Sequence, residues 1–216
     1  MTPSTVSVVD VEGMVEIEQV VTGSMPHGSR LSPDGSRHFS CAMMSDELIE
    51  LDAVTLEVVR RLELTDGTGR RAGGGHGPDA EAGAQAGAGG APQHVAVAKP
   101  TWVQPHPTKP VAYVALNGVH QVLEVDLEKW KITRRFPTGR APCNLEVTPD
   151  GTRLVVTYKG AQAVGVIDLK TGKELARIPT SRPIPHGVVV TADSRYAFVT
   201  CEDRGAAPGA VAAIDL

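Results

Sequence analysis

Two histidines and a cysteine stand at matching points of this chain. Pro26-His27-Gly28, Pro142-Cys143-Asn144 and Pro185-His186-Gly187 each open an alternating apolar segment, and Thr101 holds the same place in a fourth. Imidazole and thiolate are ligands for transition metals and haem iron, so such groups gathered round one axis could hold either. The Pro-His-Gly pattern also suits a tight strand entry whose imidazole bonds backbone, and that is the reading preferred here. No cofactor is expected; haem or a transition metal at His27, Cys143 and His186 is the alternative. Among the scattered carboxylates, Glu146 is the one best placed to share a surface with these side chains. His27, Cys143, Glu146 and His186 are therefore the candidate ligand-binding residues.

Signatures of common enzyme chemistries are missing. The chain has no GxSxG elbow, no HExxH, no CxxC and no GxxxxGK[ST] loop. Its three cysteines, Cys41, Cys143 and Cys201, make an odd set that does not suggest a disulfide framework. They read as small apolar packing residues. A net charge of −4 gives no electrostatic reason to expect nucleic acid or an anionic membrane as partner. No apolar run approaches the ~20 residues that a membrane helix needs, and no signal peptide is visible at Met1-Thr2-Pro3-Ser4.

The elements that must position the candidates repeat. An aspartate ends an apolar strand at Asp10, Asp52, Asp126, Asp168 and Asp215, at intervals of 42, 74, 42 and 47 residues. The long interval exceeds its neighbours by 32 and contains a Gly/Ala-rich tract, 65–93, with Arg70-Arg71 and His76. That tract has little to bury and reads as a solvated loop insert between blades, with a lid over the channel mouth as its other reading. With it set aside, the period is about 43 throughout. Each period reads as four short strands; in the third full unit these are about 144–148, 153–158, 163–168 and 174–179. Pro149-Asp150-Gly151 and Lys170-Thr171-Gly172-Lys173 supply the turns, whereas His106-Pro107-Thr108-Lys109-Pro110 is a less regular one. The strand-ending aspartates read as turn formers that bond the following backbone N–H groups.

Four-strand repeats of this length predict an all-β fold, a β-propeller of four-stranded antiparallel blades. One such sheet cannot cover both its faces, and radial stacking does so. About four periods are present. The chain opens on a third strand and stops on one, which points to part of a larger, seven-bladed propeller, with a compact four-unit ring or a self-associated pair as the alternative. Open blade edges would favour self-association.

Thr148-Pro149-Asp150-Gly151-Thr152-Arg153, Val155-Val156-Thr157 and Val166-Ile167-Asp168-Leu169-Lys170-Thr171-Gly172-Lys173, with their counterparts at Tyr113-Val114-Ala115 and Phe198-Val199-Thr200, resemble the YVTN-type bacterial β-propeller repeat. No copy carries the literal tetrapeptide. The resemblance covers nearly the whole chain outside the insert, and it implies a periplasmic or extracellular setting. Propellers of this group are similar to surface-layer, lactonase-like and haem d1-type propellers. The expected function is a non-catalytic binding or scaffold propeller that uses its channel face for a small ligand or a protein partner. A lactonase-like hydrolase or a haem- or metal-binding redox propeller is the alternative.

Overall fold

The computed structural model describes residues 4–65, 96–205 and 207–216. Arg70, Arg71 and His76, and with them the loop and lid readings of the insert, lie outside the described residues.

Strands β1 (Thr5–Asp10) and β2 (Val15–Val21) form a two-stranded sheet. The first full blade is β3 (Pro26–Leu31), β4 (Arg37–Ala42), β5 (Glu47–Asp52) and β6 (Val58–Glu63). The second is β7 (Pro100–Pro105), β8 (Val111–Leu116), β9 (Gln121–Asp126) and β10 (Lys131–Pro137). The third is β11 (Pro142–Val147), β12 (Arg153–Tyr158), β13 (Ala163–Asp168) and β14 (Glu174–Pro179). A three-stranded sheet of β15 (Ile184–Val190), β16 (Tyr196–Glu202) and β17 (Ala210–Asp215) follows. Every pairing is antiparallel between sequence neighbours, and no helix occurs among the described residues.

The sheets are arranged as propeller blades. Inner strand β3 packs beside β7, β7 beside β11, and β11 beside β15. Strand alternation gives each blade one apolar face forward and one backward. Phe39 and Cys41 of the first blade meet Ala112, Val114 and Leu116 of the second. Tyr113 and Ala115 meet Leu154, Val156 and Tyr158 of the third, and Val155 and Val164 meet Ala197, Val199 and Cys201 beyond. The core therefore lies between blades, as the repeat requires.

The turns are held by the residues that the repeat marks. The Asp52 carboxylate accepts the N–H groups of Val54 and Thr55 at 2.9 and 3.0 Å, and that of Asp126 accepts Glu128 and Lys129 at 3.0 and 2.8 Å. Between first and second strands, the Thr148 hydroxyl donates to Asp150 at 2.6 Å, which accepts the Thr152 N–H at 3.0 Å. Thr191 and Asp193 repeat this geometry. In the second blade His106 occupies the hydroxyl position. Its Nδ1 accepts the N–H groups of Thr108 and Lys109, both at 3.1 Å, so the less regular turn has an imidazole as its organiser.

The inner strands begin earlier than alternation alone places them. Pro142 already pairs with Tyr158, and the register then slips so that Leu145 pairs with Val156. The extra residue is a β-bulge at Cys143-Asn144, which interrupts the alternation that sequence reading follows. The same slip follows Pro26, Pro100 and Pro185.

Candidate functional site

The bulge at the start of each inner strand is where the candidate residues sit. His27, Thr101, Cys143 and His186 each follow the entry residue, in four adjacent blades. Hydroxyls of the second strands brace the bulges: the Thr157 Oγ1 accepts the Asn144 N–H at 3.0 Å and donates to the His186 carbonyl at 2.9 Å. Thr200 does the same for its own blade, accepting the Gly187 N–H at 3.0 Å.

Within this ring the four side chains differ. His27 is exposed, and its Nδ1 lies 2.8 Å from the Thr101 carbonyl across the blade boundary. Thr101 is buried, its hydroxyl within 3.4 Å of the carbonyls of Ala115 and Pro142. Cys143 is a buried free thiol whose pKa is raised chiefly by burial, with Lys159 opposing and Glu202 adding. His186 is half-buried, and its pKa is lowered by desolvation, by Lys159 and by His27, while Glu202 works the other way. His27, His186, Lys159 and Glu202 therefore act on one shared region. Lys159 follows the second strand of its blade and Glu202 ends that of its own; Asn117 follows the second strand of the second blade, where its amide donates to the Pro142 carbonyl at 3.2 Å.

Glu146 lies three positions further along β11, in register with Gln104 on β7 and Arg30 on β3. The Arg30 Nε donates to the Gln104 Oε1 at 3.2 Å, and the guanidinium lies 4.4 Å over the Trp102 ring. Burial raises the Glu146 pKa, and the Arg30 charge partly offsets this. Arg30 is thus a member of the inner-strand surface, a placement that sequence reading missed. Gln104, Trp102, Lys159 and Asn117 were also missed. Aligning the inner strands residue by residue, and then the position after each second strand, would have found them.

Among the described residues no three His, Cys, Asp or Glu side chains converge to hold a metal ion. His27 directs its Nδ1 to a backbone carbonyl, the tight-entry arrangement, and Cys143 is enclosed. The inner strands and the ends of the second strands carry the cations of Arg30 and Lys159, the carboxyl of Glu146, the amide of Gln104 and the imidazoles of His27 and His186.

No family model matches the chain, and no curated protein matches it. Among solved structures, Kuenenia stuttgartiensis hydrazine synthase is similar, with a TM-score of 0.70 and 21% sequence identity. The match covers 90% of this chain and 47% of that one, so the chain spans about half the length of the structure it resembles. At this identity the likeness shows the fold, a β-propeller.

Proposed function

We propose that the chain is a non-catalytic binding module that takes a small polar ligand or an extended protein segment at its channel face. One observation carries the reading: Arg30, Gln104 and Glu146 share one register on three adjacent inner strands. Above them His186 feels the opposite charges of Lys159 and Glu202. A ligand with both acidic and hydrogen-bond-donating groups meets complementary partners on either side, on strands whose positions are fixed by the blade cores.

The test is ligand-observed NMR with a panel of small carboxylates, phosphates, amino acids and sugars. Binding by at least one class, weakened in Arg30→Met and Glu146→Gln, supports the proposal. Binding that is indifferent to both substitutions, or absent across the panel and from a peptide library, overturns it. A lactonase-like hydrolase is the second reading, because a carboxyl held toward its protonated form is suited to donating a proton. Ester or lactone turnover abolished by Glu146→Gln would favour it.

A further inference from the structure

Two neighbouring inner strands carry buried polar atoms that the fold does not pair. The indole Nε1 of Trp102 on β7 and the amide Oδ1 of Asn144 on β11 have no hydrogen-bond partner among the described residues. Asn144 is 6% exposed; its backbone N–H and carbonyl both bond the Thr157 hydroxyl, but its side-chain oxygen is idle. An unpaired buried donor or acceptor is destabilising, so two of them at one level mark a place that a further group completes.

The two residues hold the same place in their blades, each two positions before the level of Gln104 and Glu146. The blades on either side have glycine there, Gly28 and Gly187. A Cβ on Gly28 would stand 2.9 Å from the Trp102 Cε3, so the first blade cedes the room that the indole fills. Nε1 lies on the indole edge opposite Cε3. Trp102 packs on the core between the second and third blades, which includes Leu145, the residue after Asn144.

One atom that serves both groups must accept from the Trp102 N–H and donate to the Asn144 oxygen. A hydroxyl does both. An ionised carboxylate or phosphate oxygen only accepts, an ammonium only donates, and a trans peptide aims its N–H and C=O apart. The next level lies about 7 Å along the strands. There the Glu146 carboxyl has no hydrogen bond among the described residues, and the Gln104 amide has only its oxygen taken, by Arg30. We infer that Trp102 and Asn144 form a hydroxyl subsite, and that the ligand of the inner strands is a sugar or polyol whose further hydroxyls reach Gln104 and Glu146. This rests on the binding role proposed above and narrows its ligand class. Entry requires the Asn144 amide to turn, which its unbonded oxygen does not resist.

The two tryptophans give two indole N–H signals in the NMR spectrum of the nitrogen-labelled full chain, and Trp102→Phe identifies one of them. Trp130, in the turn between β9 and β10, is the internal control. D-glucose, D-mannose, D-xylose and myo-inositol are each titrated to tens of millimolar. At least one should shift the Trp102 signal saturably and leave Trp130 in place. Its affinity, read by calorimetry, should fall about 10-fold in Trp102→Phe and in Asn144→Gly, which copies the flanking blades. Circular dichroism checks folding, and Trp102→Phe decides alone if Asn144→Gly fails to fold. The inference is overturned if none of the four shifts the Trp102 signal, or if binding survives the variants unchanged. Carboxylates, phosphates or amino acids that bind through Arg30 and Glu146, while all four leave Trp102 unmoved, overturn this inference and leave the binding role standing.

Discussion

The His106 imidazole lies 3.1 Å from the Gly151 carbonyl and joins the second blade to the third. With Nδ1 already accepting two backbone N–H groups, the ring must carry its hydrogen on Nε2 and donate it to Gly151. The buried imidazole is therefore neutral in the fold. Burial, with Lys109 adding, holds its pKa below the ordinary 6.5, while the Gly151 carbonyl and Glu124 oppose this.

A pH dependence follows. Below about 6.5 the unfolded chain takes up a proton that the folded chain resists, so stability is fully present above that pH and falls as the pH drops. His38 and His186, also lowered by burial, add to the same slope. Urea unfolding between pH 5 and 8 should show this fall, and His106→Gln should flatten it at the expense of stability at neutral pH.

Gly151 itself gives a second prediction. Its φ is +70°, and a Cβ there would meet the His106 Cε1 at 2.6 Å. Gly35, at the equivalent turn of the first blade, has φ +73° with nothing near a Cβ. Gly35→Ala should therefore report backbone strain alone, about 1–2 kcal/mol. Gly151→Ala should cost more and should lose the His106 pH effect, read by the same unfolding curves.

Glu50 and Arg60 form a junction of another kind. Glu50 is buried and accepts the Arg60 Nε at 2.6 Å, while the Arg60 guanidinium donates to the Leu127 carbonyl of the next blade at 2.8 Å. Glu124 and Arg134 repeat the device toward Leu169, but the third blade has Val166 opposite Ala176 instead. Removing one partner leaves a buried charge, so Arg60→Ala should cost about 3 kcal/mol, near the low end because Arg37 remains 3.4 Å from Glu50. The double change Glu50→Val with Arg60→Ala, which copies the third blade, should recover part of that loss in thermal melts.

The cysteines supply a fourth prediction. All three are buried and free, and burial raises each thiol pKa. Thiolate is the reactive form. An aromatic disulfide reagent at pH 8 should label the native protein slowly and label all three positions on unfolding; fast labelling of Cys143 in the folded protein would contradict its enclosure.

Sequence and structure agree where local chemistry repeats. The strand-ending aspartates, the Asp-Gly turns and the entry position of His27, Cys143 and His186 were legible because each is set within a few residues. The turn at His106 was legible as a less regular one, but its organiser was not, since an imidazole does there what a hydroxyl does in the other blades. Arg30 and Gln104 lie 74 positions apart and meet only because the inner strands stand side by side. Glu50 and Arg60 face one another across a register shift that pattern reading cannot place.

Three blades bring His27, His186, Lys159 and Glu202 together at the entries of the inner strands. Histidine NMR titration of wild type, Lys159→Met and Glu202→Gln tests this most directly. The His186 pKa should lie below 6.5, rise when Lys159 loses its charge and fall when Glu202 loses its own. A His186 titration unmoved by both substitutions would contradict the account.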